Sequence, residues 1–346
     1  MFLEHGVAVL PCCVDDVETA ACASRAISDL AAAEEAIAAR LAALDPSAPG
    51  AHHEAVRCQR CDFAEVVRRD GGRVDCRVGC GGEPYASLFR NRRILSVARA
   101  VLGGGDVVLL YAGVMVARAG QGADAHQRWH KDGDHLFSEE GATSPPHALT
   151  VFVPLQDLTP SNGPTEFRLG SQRRRAAATA GDAETKKRKR KNAEDAVAVT
   201  CRRGSALFFD YRVDHRGTAN VSDTDRLVVF LAYARPWFRD TTNTRSKVAL
   251  FPDTFVPWAP RLIANDEAST TALLEGDDSG ERFVLFEMTV ELDDEGAADT
   301  IRVHDGDVVA DLARAFCEKH ALPGAYLAPL AESIASQMAL ARSPPP

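Results

Sequence analysis

The chain has 346 residues, of which 45% are hydrophobic and 26% charged, a balance typical of a globular protein that can bury a core without disulfide or metal staples. Its formal net charge of -9, from 40 basic and 49 acidic residues, argues against a general affinity for nucleic acid or for anionic membranes. The sequence shows no secretory signal at its start, and no apolar run approaches the roughly 20 residues of a membrane helix, so we expect a cytoplasmic protein. The cysteines number nine, which is odd, and we expect most of them to be reduced.

The first third of the chain is predicted to be mainly helical. Val7 to Leu10 reads as a short apolar strand. Residues 15–44 are rich in alanine and carry larger apolar side chains at helical spacing, which predicts a long helix. After a stretch at 51–84 that we interpret as irregular, a second helix is predicted at 87–102, where three glycines end it.

From residue 106 to 238 the pattern changes to short runs rich in β-branched and aromatic residues. The clearest runs are Val107–Tyr111, Leu149–Val153, Ala206–Phe209 and Leu227–Leu231. Helices followed by many short strands predict an α+β protein whose strands form an antiparallel sandwich or barrel.

A basic segment at about 171–196 interrupts this β-rich region. Residues 168–191 contain ten basic and two acidic side chains, on a chain that is acidic overall. Such a run cannot pack in a core, so we expect a solvated loop between strands. Lys186 to Lys191 also resembles a nuclear-import signal or a polyanion-binding patch, although similar runs are common in solvated loops.

The last part of the chain, 281–346, is predicted to be a small ββαα module. Two strand-like runs lie at 283–290 and 300–303, and two amphipathic helical runs lie at 308–320 and 327–341. This module could bind a protein partner, shield the rest of the protein or stabilise a dimer.

The most informative stretch is Trp129-His130-Lys131-Asp132. In an extended strand, residues two apart point to the same face, so His130 and Asp132 can converge on one metal ion. A second histidine, His215, follows the predicted strand Ala206–Phe209. Two imidazoles and one carboxylate on one face suit Fe(II) and leave its other positions open. The His-x-Asp pair alone is a weak signal, because it arises often by chance.

Arg226 strengthens this interpretation. It comes eleven residues after His215 and opens the predicted strand Leu227–Leu231. A guanidinium at that point can reach into a barrel and form a bidentate pair with the carboxylate of a small molecule. The alternative is a structural ion pair at the start of a strand.

Four motifs, in this order, resemble the phytanoyl-CoA dioxygenase family of Fe(II)- and 2-oxoglutarate-dependent oxygenases. The motifs are Leu3–Leu10, Trp129-His130-Lys131-Asp132 with Phe137, the turn at Ser161–Ser171, and Gly204–Asp210 followed by His215–Asn220 and Arg226. The resemblance covers about residues 2–238. The family's turn ends in a histidine where this chain has Gln172, a position that the motif does not use as a ligand.

The resemblance implies a double-stranded β-helix, a jelly-roll or cupin-like barrel with supporting N-terminal helices, in a dioxygenase domain at 1–260. It implies that His130, Asp132 and His215 hold iron, that Arg226 binds 2-oxoglutarate and that O2 is the second co-substrate. Tyr111 is a weaker candidate for the co-substrate pocket and could equally be an aromatic residue of the barrel wall.

The resemblance also implies the type of reaction. Because Asp132 stands where a halogenase would have glycine, it favours hydroxylation. We expect a small-molecule or lipid-type substrate. The alternatives are a hydroxylase of protein or nucleic acid, for which the basic segment is the one supporting feature, and a non-catalytic jelly-roll binding protein.

Four cysteines form a possible zinc site outside this pattern. Cys58 and Cys61 have the standard spacing of a structural site, and Cys76 and Cys80 have an acceptable one. The alternative is four unrelated cysteines in a variable loop, and the family resemblance favours it.

Overall fold

The structure is a computed structural model that describes residues 2–79, 81–137, 144–173, 196–241, 243, 248–265, 284–291, 298–304, 307–320 and 322–342. The chain divides into two compact units, Met1–Asp266 and Glu267–Pro346. Across these described ranges, no helix is both long enough and apolar enough to cross a membrane.

The first unit opens with helices and a hairpin. Its elements in chain order are α1 (Phe2–His5), β1 (Val7–Leu10), α2 (Asp16–Ala42), α3 (Ala51–Arg60), β2 (Val66–Arg69), β3 (Arg73–Cys76), α4 (Tyr85–Phe89) and α5 (Arg92–Leu102). The strand at Val7 and the long helix α2 are confirmed. The interpretation of 51–84 as irregular is wrong, because this stretch contains α3 and the β2–β3 hairpin.

The helix predicted at 87–102 is in fact two helices, α4 and α5. The side chain of Asn91 caps α5 by accepting hydrogen bonds from the backbone N–H groups of Arg93 and Ile94, both at 3.1 Å. An asparagine in this position starts a new helix because it satisfies N–H groups that have no partner within the helix. Gly103 then ends α5 with a φ of 105°, a left-handed conformation that favours glycine.

Antiparallel strands make up the rest of the first unit. They are β4 (Val107–Ala117), β5 (Ala148–Pro154), β6 (Thr165–Arg168), β7 (Ala196–Val199), β8 (Ala206–Asp210), β9 (His215–Gly217), β10 (Arg226–Ala234) and β11 (Arg261–Ile263). The four predicted strands are confirmed as β4, β5, β8 and β10. The main sheet has the order β1-β8-β5-β10-β4-β3-β2 with β11 beside β4, and a small sheet has the order β7-β6-β9.

The two faces of the main sheet have different roles, because side chains alternate along each strand. On β10, Val229 and Leu231 belong to the core that the sheet forms with helices α2 and α5, which also contains Leu30 and Ile94. The intervening residues of β10 point to the opposite, inner face.

The small sheet closes over this inner face of the main sheet. Phe167 of β6 has its ring centroid 5.2 Å from that of Phe209 of β8, and Phe152 of β5 lies 4.9 Å from Phe209. The candidate site residues described below lie between the two sheets.

The second unit has an apolar core of its own. Its elements are β12 (Val284–Glu291), β13 (Ala298–His304), α6 (Val309–Lys319), a 3₁₀ turn (Gly324–Tyr326) and α7 (Leu327–Arg342). Strands β12 and β13 pair antiparallel. The buried side chains of this core come from all four main elements: Met288, Ile301, Val303, Phe316, Ile334 and Met338.

Most of the basic segment, including Lys186 to Lys191, lies outside the described residues. The import signal and the loop at 171–196 therefore stay predictions.

Candidate metal centre

His130, Asp132 and His215 come together between the two sheets. One potential ligand atom from each side chain lies within 4.8 Å of the others. The backbones of His130 and His215 exchange two hydrogen bonds, at 3.0 and 2.9 Å, which place their ring centroids 4.4 Å apart. Direct backbone pairing thus brings together two histidines that are far apart in the sequence.

The local geometry differs from the predicted regular strand. Only His130 takes part in a β-bridge, and the chain bends at Asp132 and Gly133. A Cβ atom on Gly133 would overlap the ring of Tyr211, whose carbonyl accepts a hydrogen bond from the Gly133 N–H at 2.9 Å. The bend therefore depends on glycine at this position, and it directs the Asp132 carboxylate toward His215.

Each histidine is held with one ring nitrogen available to a metal. Nδ1 of His130 lies 2.9 Å from the carbonyl oxygen of Arg128, and Nδ1 of His215 lies 3.1 Å from that of Val213. Because a carbonyl can only accept, Nδ1 carries a proton in both rings, so Nε2 is the nitrogen that each ring can offer to a metal. Metal-binding histidines in proteins are oriented in this way.

Burial sets the protonation of His215. Desolvation lowers the pKa of its imidazole, and the nearby His130 lowers it further, while the Asp132 carboxylate opposes both effects. His215 is therefore neutral at neutral pH, which is the form that binds a metal.

The Asp132 carboxylate is oriented by Thr150 on β5. Its Oδ2 accepts a hydrogen bond from the Thr150 hydroxyl at 2.6 Å, while Oδ1 lies 3.6 Å from Nε2 of His215. The backbone carbonyl of Asp132 accepts a hydrogen bond from the side-chain amide of Asn243 at 2.8 Å. The carboxylate thus presents Oδ1 to the same point as the two imidazoles.

Arg226 lies on the inner face, at the start of β10, and is only 2% exposed. Its Nη2 donates to the carbonyl of Gly163 at 2.7 Å, and its buried Nε has no hydrogen-bond partner within the part of the chain that the structure describes. Burial, with the nearby charge of Arg73, lowers the pKa of Arg226 to about 9.

Arg73 of β3 is a second buried guanidinium in this region. It is 1% exposed, and both it and Arg226 are paired in register with Ala117 of the strand between them. It donates to the carbonyls of Thr218 and Gly163 at 2.5 and 3.3 Å. In the part of the chain that the structure describes, neither arginine forms an ion pair with a carboxylate. Buried charges without a counter-ion are costly, so the pair favours a bound anion.

A cavity of about 530 Å³ connects these groups. It is lined by the three candidate ligands together with Arg73, Arg226 and Tyr111. Its size falls within the range of small-molecule sites.

Tyr111 occupies the end of this cavity away from Arg226. It pairs with Ala232 of β10, six residues along the strand from Arg226. Its hydroxyl lies 2.5 Å from that of Tyr211, which in turn donates to the Asp240 carboxylate at 2.6 Å. Because the Tyr211 proton is used in that bond, Tyr111 donates to Tyr211 and offers the cavity an acceptor. Desolvation raises the pKa of the Tyr111 phenol, so it stays protonated.

Several residues of the site were missed from the sequence. Thr150 gave a faint signal, as a polar residue inside the apolar run Leu149–Val153. Arg73 lay in a stretch interpreted as irregular, and Asp240 and Asn243 belong to no recognisable motif.

The structure describes three of the four cysteines of the candidate zinc site, because Cys80 lies outside the described residues. Cys58, Cys61 and Cys76 are buried. Among the residues described, the group His130, Asp132 and His215 is the one set of three metal-binding side chains that converges. The zinc hypothesis stays a prediction.

The chain matches the family model for phytanoyl-CoA dioxygenase (PhyH) over residues 2–228. Similar solved structures include EctD from S. alaskensis with bound Fe, at 22% identity and a TM-score of 0.44, covering 72% of this chain and 86% of that one. The non-heme alpha ketoglutarate dependent epimerase SnoN from nogalamycin biosynthesis matches at 19% identity and a TM-score of 0.42, covering 71% and 88%.

Proposed function

Because the chain belongs to the phytanoyl-CoA dioxygenase family and is therefore a 2-oxoglutarate-dependent dioxygenase, we propose that it hydroxylates a small-molecule or lipid-type substrate at an iron held by His130, Asp132 and His215. The convergence of these three side chains within 4.8 Å, beside a buried arginine that has no counter-ion among the residues described, is the observation that carries the proposal.

The residues present fit Fe(II) and 2-oxoglutarate. Two imidazoles and one carboxylate form the facial set that leaves positions open for a chelating co-substrate and O2. The unpartnered Nε of Arg226 provides a buried, charge-assisted donor for the remote carboxylate of 2-oxoglutarate. When bound, the iron with its two co-substrates supplies the oxidising chemistry that replaces a substrate C–H bond with C–OH.

The chain's own residues position the reactants. The carbonyls of Arg128 and Val213 fix the imidazoles, and Thr150 fixes the Asp132 carboxylate. This support matters because small misplacements of ligands reduce rates strongly.

The apolar inner face between Arg226 and the metal ligands excludes water from the co-substrate. Phe152 and Phe230, which are paired in register, both line the cavity there. A drier site strengthens the pairing between Arg226 and a carboxylate.

Tyr111 is part of the proposal as a residue of the co-substrate pocket, at its metal end. Since its own proton is directed to Tyr211, it would accept a hydrogen bond there and would not donate one to a carboxylate. The proposal also assigns the double-stranded β-helix to the two facing sheets, the dioxygenase domain to residues 1–260, and a separate module to 281–346.

Loss of a single ligand tests the proposal. His130→Ala and Asp132→Ala are expected to abolish conversion of 2-oxoglutarate to succinate while the far-UV circular dichroism spectrum is unchanged. Asp134→Ala is the matched control, because Asp134 is an exposed carboxylate two residues further along the chain. Wild-type succinate production by either ligand variant would overturn the assignment.

A further inference from the structure

Aromatic side chains lead from the cavity lined by the candidate metal ligands to the protein surface. Tyr111 lines this cavity, and its hydroxyl lies 2.5 Å from that of Tyr211. The ring centroid of Phe238 lies 6.2 Å from that of Tyr211 and 6.2 Å from that of Trp237. We call these four residues the aromatic path.

The inner and outer parts of the aromatic path have different surroundings. Tyr211 is fully buried, whereas Trp237 is 58% exposed. Tyrosine and tryptophan are the side chains that lose one electron most readily, and the ring of Phe238 lies between Tyr211 and Trp237. A reductant in solution can therefore reach one end of the path, while the other end lines the cavity of the metal centre.

A hydrogen-bond network holds the inner part of the path beside a candidate metal ligand. The side-chain amide of Asn243 donates to the backbone carbonyl of Asp132 and to the Tyr211 hydroxyl, each at 2.8 Å. The N–H of Gly133, the residue after Asp132, donates to the Tyr211 carbonyl at 2.9 Å. One amide nitrogen thus links the Tyr211 hydroxyl to the backbone of a candidate ligand.

The same network provides an acceptor for a phenolic proton. Tyr111 donates to Tyr211, which donates to the Asp240 carboxylate at 2.6 Å. The central carbon of the Arg77 guanidinium lies 4.8 Å from the centroid of the Tyr111 ring. If Tyr111 lost an electron and kept its proton, its ring would carry a positive charge beside this guanidinium, and the two charges would repel each other. The proton therefore has to leave with the electron, and two hydrogen bonds lead it to a carboxylate.

We propose that the aromatic path reduces the oxidant formed at the metal when 2-oxoglutarate and O2 react without a substrate. Tyr111 gives one electron to this oxidant and its O–H bond breaks. The proton passes to Tyr211, and the Tyr211 proton passes to Asp240. The products are a neutral Tyr111 radical and a protonated Asp240.

A one-electron donor in solution, of the ascorbate class, then restores the path. It gives an electron at Trp237, and the proton returns from Asp240 to re-form the O–H bond of Tyr111. Because the oxidant holds two oxidising equivalents, two passages return the iron to Fe(II), and the oxygen atom leaves as water with two protons from solvent. The inference rests on the proposed function, because the oxidant forms at the proposed metal centre.

A radical on Tyr111 is the direct signature of the aromatic path. The full-length protein is loaded anaerobically with Fe(II) and 2-oxoglutarate, mixed with O2 without substrate, and rapidly frozen for electron paramagnetic resonance. We expect a tyrosyl radical in the wild type, with a narrower signal when the tyrosines carry deuterium at the β-carbon. Tyr111→Phe should lose the signal. Tyr233→Phe is the matched control and should keep it, because the buried Tyr233 hydroxyl donates to the Phe89 carbonyl, outside the path.

Two further variants separate proton transfer from electron entry. Asp240→Asn removes the proton acceptor and should slow radical formation about tenfold or more. Trp237→Phe should lengthen the lifetime of the radical in ascorbate about tenfold, whereas Trp258→Phe, outside the path, should leave it unchanged. A radical that persists in Tyr111→Phe, or a radical lifetime that Trp237→Phe does not alter, would overturn the inference.

The charge-transfer absorption of bound 2-oxoglutarate, recorded before O2 is added, separates this inference from the proposed function. If the band is present in the wild type and no tyrosyl radical forms, the aromatic path is wrong and the dioxygenase site stands. If correctly folded wild-type protein forms no band, the proposed metal site is wrong and the aromatic path, which depends on it, is wrong as well.

Discussion

Arg226→Met distinguishes an arginine that binds the co-substrate from one that holds the fold together. Methionine keeps the length of the side chain and removes its charge. Arg226 is 2% exposed, lies near the buried charge of Arg73 and has a pKa lowered to about 9. Removing it costs the hydrogen bond to the Gly163 carbonyl but relieves an uncompensated buried charge. We therefore expect the melting temperature without 2-oxoglutarate to stay the same or rise.

The effect on co-substrate binding should be opposite and large. Removing one partner of a buried, hydrogen-bonded charge pair costs about 2–5 kcal/mol. At about 1.4 kcal/mol per tenfold change, this corresponds to roughly 30- to 4,000-fold weaker binding of 2-oxoglutarate. Isothermal titration of the anaerobic Fe(II)-loaded protein measures the affinity, and thermal unfolding without co-substrate measures stability.

The control for this comparison is Arg203→Met. Arg203 forms an exposed ion pair with Asp16 at 2.7 Å, with 47% of its side chain accessible. Such a pair contributes about 0–1 kcal/mol, so the variant should bind 2-oxoglutarate like the wild type. The reasoning fails if folded Arg226→Met binds the co-substrate within about threefold of the wild type, or if the variant is destabilised by several kcal/mol, as loss of a structural ion pair would require.

Three further changes test other parts of the structure. Thr150→Val removes the 2.6 Å hydrogen bond to the Asp132 carboxylate. In a metal titration it should weaken Fe(II) binding about 10- to 100-fold, while the circular dichroism spectrum stays unchanged. An unchanged Fe(II) affinity would show that Thr150 does not orient Asp132. Gly133→Ala should overlap the Tyr211 ring and cost about 1–3 kcal/mol in urea unfolding, and a neutral result would mean that the bend can shift freely. Burial lowers the pKa of His147 to about 4, and the unfolded chain therefore takes up a proton at this residue first as the pH falls from about 6.5 to about 4. This one group should contribute a loss of about 3 kcal/mol to the change in unfolding free energy over that range. His147→Phe should lose correspondingly less stability than the wild type, and an equal loss would contradict the assignment.

The convergence of the three candidate metal ligands was predictable because their signal is local. His130 and Asp132 are separated by one residue, and the motifs around His215 and Arg226 keep their order along the chain. The long strands β4 and β10 were predictable in type because both carry runs of β-branched and aromatic residues. Their pairing, which places Arg226 on the inner face, depends on the register of the whole sheet.

The parts that the sequence did not reveal depend on tertiary contacts. Strand β3 is buried along its length although it contains Arg73 and Asp75, so its pattern does not resemble a buried strand. Arg73 is accommodated because carbonyls from Gly163 and Thr218, far along the chain, accept its hydrogen bonds. Asn243 reaches Asp132 only because the chain turns back after β10, and no pattern in the sequence indicates that return.

The central claim is that His130, Asp132 and His215 bind Fe(II) with a chelating 2-oxoglutarate beside them. Its most direct test is an anaerobic titration of the metal-free protein, first with Fe(II) and then with 2-oxoglutarate, followed by visible absorption. We predict that a weak charge-transfer band forms in the wild type and is absent from Asp132→Ala. Correctly folded wild-type protein that forms no band would contradict the account.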